Sequence, residues 1–327
     1  FRWIVMKTAL KKLYSDIVEV SWELFKIMVP TLLAVKVLSE IGFVSWLDSI
    51  CAPLLSLIGL PASLVVVVTT TMLTNPYAGL IVMSSVPLAA DFSIGQASIL
   101  ASFMLFTHSL PVELLISRKA GVRMRVTFLI RVGGAFVFCA FLNQLLDITG
   151  WLSAPAFISL PTFEVTTSLW AWGVNQVQGL ILVQLIIIIL LSFLALLKAV
   201  GIEALMHRLL TPFLSLLGVG GQASTIAVVG VTLGLGFGGG LLIKEVRTGS
   251  IPRHDVFGVL VLINLLHSVF EDTAVVMLLG PSLLVILGGR FLFTMLVVWI
   301  MMRITSPLPD KVWRSMLTNN NVPEKAS

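Results

Sequence analysis

Charged residues are scarce in this sequence. Lys, Arg, Asp and Glu make up 11% of its 327 residues, and 57% are hydrophobic. A soluble globular domain carries about 25% charged residues, so a water-soluble enzyme is excluded. Two cysteines cannot form a disulfide scaffold. The sequence contains no GxSxG, HExxH or GxxxxGK[ST] pattern, and the protein is predicted not to be an enzyme.

The apolar residues form several runs of roughly 20 residues, the length an α-helix needs to cross a bilayer. They predict an all-α polytopic protein of the cell (inner) membrane. The net charge of +5 resides in short segments between these runs. Basic residues at such positions set orientation in a bilayer, so no nucleic-acid partner is expected. The expected partners are membrane lipids, and a homodimer is compatible with the sequence.

The second half of the chain repeats the first. Residues 53–59 (PLLSLIG) match residues 212–218 (PFLSLLG) at five of seven positions, at an offset of 159. The same offset relates further pairs: His108-Ser109 with His267-Ser268, Glu113 with Asp272, and Arg131 with Arg290. Matches that keep their order along roughly 120 residues indicate duplication of one unit.

Each unit contains an apolar span, a short amphipathic stretch, an interrupted apolar segment and two further spans. The amphipathic stretches are expected to lie in the plane of the membrane. The predicted organisation, in chain order, is an interfacial amphipathic helix (1–19), repeat 1 (20–146), an external connector (147–168), repeat 2 (169–305) and a cytoplasmic tail (306–327).

Positive charge alternates in opposite ways in the two units. The loop 118–125 holds four Lys or Arg residues and should be cytoplasmic, whereas its counterpart 277–284 holds none. Conversely, three basic residues follow the interrupted segment of the second unit, and the lone Asp91 follows that of the first. Two inverted-topology repeats with both termini in the cytoplasm are therefore predicted.

The interrupted segments, 61–88 and 220–243, are predicted to be re-entrant hairpins. Each half has roughly 11–13 residues and reaches only ~17–20 Å, too short for ~30 Å of hydrocarbon. Six spanning helices and two hairpins result, and a single tilted span in place of each hairpin is the alternative. The predicted breaks are Thr74-Asn75-Pro76 and a glycine-rich run that includes Gly236, Gly238 and Gly239.

Two His-Ser pairs lie about midway along predicted spans, and each has a carboxylate five residues further on. Ionisable residues at membrane depth are costly and mostly face a bundle interior or a water-filled cavity. We therefore expect them to line a solute site together with the hairpin breaks. These residues are His108-Ser109 with Glu113, and His267-Ser268 with Glu271 and Asp272.

Two buried ion pairs are also expected. Glu113 and Arg131 are equidistant from the turn between their helices, and so are Asp272 and Arg290. Antiparallel neighbours joined by a short turn bring such residues to equal depth. The arginines could serve structure or face the substrate. No cofactor or metal is predicted, and metal binding by the His, Glu and Asp side chains is a minor alternative.

The order of segments resembles that of the nucleoside-recognition or Gate-domain superfamily, to which spore maturation proteins, the membrane part of ferrous-iron transporters and concentrative nucleoside transporters belong. The resemblance covers about residues 20–305. It is carried by PLLSLIG and PFLSLLG, the two breaks and the paired His-Ser sequences. It implies a membrane protein built of repeats with hairpins, and a solute site at the breaks.

The function expected is that of a secondary transporter. It would move a small polar or anionic solute, nucleoside-like or an organic anion, by alternating access, with the histidines as candidates for proton coupling. A second hypothesis is translocation of a lipid-linked phosphate, with Arg131 and Arg290 receiving the headgroup. A third is a non-transporting membrane assembly or maturation factor.

Overall fold

The structure, a computed structural model, describes residues 2–86, 91–160, 168–216 and 219–319. The connector 147–168 and the tail 306–327 therefore lie partly outside the described residues. Within these ranges the repeating secondary structure is helical. The α-helices, in chain order, are α1 (Arg2–Glu40), α2 (Phe43–Ser56), α3 (Val65–Leu73), α4 (Pro76–Met83), α5 (Ile94–Thr107), α6 (Leu110–Lys119), α7 (Met124–Phe128), α8 (Gly134–Thr149), α9 (Leu169–Val200), α10 (Ile202–Leu216), α11 (Gly221–Leu233), α12 (Leu235–Thr248), α13 (Arg253–Leu265), α14 (Val269–Val276), α15 (Arg290–Thr305) and α16 (Asp310–Val312).

Five helical stretches of the described chain are long and apolar enough to cross a membrane, in agreement with the predicted all-α membrane class. They are Ile94–Lys119, Met124–Thr149, Leu169–Phe193, Arg253–Leu279 and Leu284–Thr305. The predicted span at about 20–42 is not among them. It lies largely in α1, where the charged residues Glu23, Lys26, Lys36 and Glu40 interrupt the apolar run.

Helix α1 also continues through the predicted boundary between an interfacial helix (1–19) and repeat 1. It extends from Arg2 to Glu40 as one α-helix and packs against α9. No glycine or proline precedes Pro30 in this helix. Because these are the residues that most readily bend or end a helix, the sequence supplies no reason for a break near residue 19.

Two pairs of short helices fold back on themselves. In the pair α3 and α4, Gly79 lies directly against Thr71. In the pair α11 and α12, Gly238 lies directly against Gly230. In both pairs the contacting residues stand four positions before and four positions after the turn, so the two helices of each pair are antiparallel neighbours.

Two of the span-length stretches are broken near their middle. Two residues separate α5 from α6, and three separate α13 from α14. Ser109 (φ 52°) and Ser268 (φ 46°) adopt the left-handed conformation at corresponding places in the two breaks. This conformation is uncommon for residues other than glycine. Pro111 fits the first turn of α6, where a missing N–H costs no hydrogen bond.

The span-length stretch that comes after each broken one in the chain contains a π-helical turn. One covers Leu129–Gly133 between α7 and α8, and the other covers Leu284–Gly289 just before α15. A π-turn inserts an extra residue into the helical ladder and is frequent at functional sites. Arg131 lies within the first turn and Arg290 directly follows the second. Both arginines are almost fully buried.

Candidate functional site

Four ionisable side chains meet where the two broken spans come together. His108 and Glu113 come from the first span and His267 and Asp272 from the second, and each exposes at most 6% of its surface. We call these four residues the central cluster. Nε2 of His108 lies 3.0 Å from Nε2 of His267, and Oε1 of Glu113 lies 3.4 Å and 3.1 Å from these two nitrogen atoms, respectively. Oδ2 of Asp272 lies 3.4 Å from the first nitrogen and 4.0 Å from the second.

Both imidazole rings are oriented by the helix that precedes the break. Nδ1 of His108 lies 3.1 Å from the carbonyl oxygen of Met104, and Nδ1 of His267 lies 2.7 Å from that of Ile263. Because a carbonyl oxygen can only accept, these contacts assign the proton of each neutral ring to Nδ1. Each Nε2 then presents a lone pair to the other ring and to the carboxylates. Such an arrangement of facing acceptors is stabilised by a proton or a cation between them.

The two buried arginines donate hydrogen bonds to carbonyl groups at the C-terminal ends of α5 and α13. Arg131 donates from Nε to the carbonyl oxygen of Phe106 (2.9 Å) and from Nη2 to that of His108 (2.8 Å). Arg290 donates from Nε to the carbonyl oxygen of Leu265 at 2.8 Å. A broken helix leaves carbonyl groups without a partner in the next turn, and a guanidinium group supplies several donors in a fixed geometry. The arginines thus stabilise the backbone that carries the histidines.

The two halves differ in their buried ion pairs. Arg131 and Glu113 form the expected pair through Oε2 of the glutamate. The equivalent pair of Asp272 with Arg290 was also expected, and the described contacts do not contain it: Arg290 is directed at backbone carbonyl oxygens instead.

The turn between α3 and α4 contacts the first break. The Ser109 hydroxyl donates to the carbonyl oxygen of Thr74 at 2.6 Å, and the Ser109 N–H donates to that of Thr71 at 3.2 Å. Asn75 caps α4 by accepting from the N–H of Ala78, and Pro76 begins the helix. The residues predicted at this turn are therefore held against Ser109, the residue that follows His108 of the central cluster.

The turn between α11 and α12 lies next to the second break in a corresponding way. Gly234 has a φ of 96°, which favours glycine, and the hydroxyl group of Ser268 lies close to the space that a Cβ would occupy there. Two of the other predicted glycines serve packing. Gly238 lies against Gly230 and Gly239 faces Ile116 of α6, while Gly236 belongs to the first turn of α12.

Three polar residues near the cluster were not predicted from the sequence. Tyr77 donates its hydroxyl proton to Oε1 of Glu271 at 3.2 Å, which joins α4 to the second half of the chain. Asn264 donates to the hydroxyl oxygen of Ser117 at 3.0 Å, which joins α13 to the first half. The sequence did contain a signal for these residues, since each is a polar side chain within an apolar segment. Tyr77 is also one of only two tyrosines in the chain.

The apolar spans and the polar centre that they enclose define an all-helical membrane protein. The chain is similar to a Bacillus subtilis (strain 168) protein described as uncharacterized membrane protein YvoD, with 28% identity over 286 residues, which is 85% of this chain and 90% of that protein. No model of a protein family matches the chain, and no solved structure matches it. The relative supports the membrane class and carries no named activity.

Proposed function

We propose that the protein is a secondary transporter built of two inverted-topology repeats, which moves a small polar solute across the cell membrane by alternating access. The observation that carries the proposal is the central cluster itself. Ionisable side chains inside a membrane are expensive, and they mark substrate and ion pathways when they face one another in a bundle interior.

The backbone around the cluster supports the same proposal. Transporters built of inverted repeats form their solute sites from discontinuous helices near the middle of the bilayer. Here both spans that carry the cluster are broken, and Ser109 and Ser268 connect the two breaks to the folded-back helix pairs. A re-entrant placement of α3–α4 and α11–α12 follows from this proposal, since neither pair contains a helix of span length.

The charge around the cluster indicates which solutes fit. Two buried carboxylates and a half-buried one lie on the same broken spans as the histidines, and two guanidinium groups are buried as well. One net negative charge results when all three carboxylates are ionised and the imidazoles are neutral. The groups are Glu113, Glu271, Asp272, Arg131 and Arg290. This balance favours a neutral polar or a cationic solute over an anion. Nucleoside-like solutes remain good candidates, and organic anions are expected to be poorer ones.

Uptake into proteoliposomes tests the proposal. Purified protein is reconstituted, and the entry of labelled nucleosides and organic anions is followed with and without an imposed proton gradient. We expect saturable entry of at least one water-soluble solute, faster than into protein-free liposomes. An effect of the gradient on that entry would reveal the proton coupling expected from the sequence.

The same vesicles separate the other two hypotheses. Scrambling of a fluorescent lipid-linked phosphate without solute entry would favour a lipid translocase, whereas neither activity would favour an assembly or maturation factor. The geometry gives the lipid headgroup less support, because both arginines are buried and donate to backbone carbonyl oxygens.

A further inference from the structure

We infer that the central cluster binds one divalent transition-metal ion of the zinc class, with His108, His267 and Glu113 as ligands and Asp272 as the fourth donor. The inference goes beyond the transport proposed above and does not depend on it. An ion at this place would join the two halves of the chain, because each half contributes one histidine and one carboxylate.

The ligand atoms already have the spacing of a tetrahedral site. Nε2 of His108, Nε2 of His267 and Oε1 of Glu113 form a triangle with sides of 3.0, 3.1 and 3.4 Å. Zinc binds nitrogen and oxygen ligands at about 2.0–2.1 Å, so the corners of its tetrahedron lie about 3.3–3.4 Å apart. The triangle therefore matches one face of such a tetrahedron, and the three residues are close enough to share one ion.

A fourth donor is available beside this face. Oδ2 of Asp272 is buried without a hydrogen-bond partner among the described atoms. It lies 3.4 Å from Nε2 of His108 and 4.0 Å from Nε2 of His267. A buried carboxylate oxygen without a partner is costly, and an ion at the centre of the cluster would satisfy it.

The surroundings orient each ligand as metal sites require. The hydrogen bonds from Nδ1 of both histidines to backbone carbonyl oxygens direct Nε2 at the ion, the usual outer-shell arrangement of metal-binding histidine. Arg131 holds Oε2 of Glu113, which leaves Oε1 facing the two imidazoles. The ligand geometry is thus built in by neighbours that do not themselves touch the ion.

The electrostatics favour a cation of this type. Helices α5 and α13 end at the cluster while α6 and α14 begin there, so the partial charges of the helix ends oppose one another and the charged side chains decide. The carboxylates exceed the arginines by one charge, as counted above. Two imidazole nitrogens and two carboxylate oxygens suit zinc, cobalt, iron or manganese, whereas calcium and magnesium prefer sites made of oxygen alone.

Cobalt binding tests the inference, because tetrahedral Co²⁺ absorbs visible light much more strongly than octahedral Co²⁺. Purified full-length protein in detergent is stripped with a chelator and titrated with Co²⁺, then competed with Zn²⁺. We expect one ion per chain with a tetrahedral spectrum that Zn²⁺ abolishes. X-ray absorption on the unsubstituted protein should show nitrogen and oxygen neighbours at about 2.0–2.1 Å.

Substitutions locate the ion. His108→Gln, His267→Gln and Glu113→Gln should each weaken binding by roughly 100-fold or more, since losing an outer-shell partner alone costs about 10–100-fold. His207 and His254 lie away from the cluster and provide matched controls. His207→Gln and His254→Gln should leave the stoichiometry and the spectrum unchanged. The X-ray absorption result keeps the test valid if a cluster variant fails to fold.

Two results would overturn the inference: absence of stoichiometric Co²⁺ or Zn²⁺ binding by the folded protein, or binding that is octahedral and survives in the His108→Gln and His267→Gln variants. Vesicles loaded with a metal indicator then show whether the protein transports the ion or retains it. Entry of Zn²⁺ would identify it as cargo, and retention without entry as a resident ion; both results support the site. Solute uptake by a protein that binds no metal would leave the transport proposal intact.

Discussion

At the scale of single residues, Arg131 and Arg290 occupy the same local position with different partners. Both donate from Nε to a carbonyl oxygen two residues before the histidine of their half. Arg131 has an anionic partner in Glu113, and Arg290 has no equivalent partner among the described ion pairs. Breaking the pair at Arg131 leaves a buried uncompensated carboxylate, which makes this arginine the more costly of the two to remove.

We expect Arg131→Ala to lower the free energy of unfolding by roughly 3–5 kcal/mol, the usual loss when one partner of a buried pair is removed. The double variant Glu113→Gln with Arg131→Gln should recover part of this loss, because no carboxylate is then left unpaired. Denaturant unfolding in mild detergent measures both changes. Arg303→Ala, an exposed position on α15, is the control and should have little effect. An unchanged stability of Arg131→Ala would show that the ion pair is not structural.

The sequence could predict part of this residue-level arrangement. The pair of Glu113 with Arg131 was predictable, since residues equidistant from a short turn reach equal depth. The described ion pairs do not include Asp272 with Arg290, and spacing along the chain does not distinguish this pair from the other. The contact of His108 with His267, 3.0 Å between Nε2 atoms, was not predictable either. It depends on how the two halves pack together, and no local pattern encodes that placement.

At the scale of elements, the folded-back pairs depend on close contact between helices. Gly230 and Gly238 allow α11 and α12 to approach more closely than side chains would permit. Gly240 lies in α12, as Gly238 does, and a Cβ at Gly240 would meet no atom within 4 Å. The break itself lies at Gly234, whereas Gly236, Gly238 and Gly239, which were also predicted at the break, lie inside α12. The sequence alone does not separate the glycine that ends a helix from those that pack within one.

These two glycines provide a matched pair of substitutions. Gly238→Ala should destabilise the protein by roughly 1–3 kcal/mol, because the added methyl group would overlap the backbone of Gly230. Gly240→Ala should be neutral or stabilise the protein by up to about 1 kcal/mol through helix propensity. Thermal unfolding of both purified variants checks the difference. Equal stability of the two would mean that α11 and α12 are not in close contact at Gly238.

At the scale of the whole molecule, the proposed inversion of the two repeats assigns opposite membrane faces to two exposed positions. Lys119 lies in the basic loop 118–125, which we place in the cytoplasm, and Asp91 follows the first folded-back pair. The structure exposes both. Each of the two halves contributes one histidine and one carboxylate to the central cluster.

Cysteine labelling checks this topology. In a variant whose two native cysteines are replaced by serine, Asp91→Cys should react with an impermeant thiol reagent applied to intact cells. Lys119→Cys should react only after the cells are permeabilised. The physical reason is the excess of Lys and Arg in loop 118–125, which retains it on the cytoplasmic side. Labelling of both positions from outside would contradict the proposed inversion and the hairpins with it.

The most direct test of the central claim is solute uptake by the His108→Ala/His267→Ala double variant in proteoliposomes. If the central cluster is the solute site, this variant should be expressed and folded, and should lose most of the uptake measured for the unsubstituted protein. His207→Ala, at an exposed position, should transport normally. Uptake by the double variant at the rate of the His207→Ala control would contradict a role of the central cluster in transport.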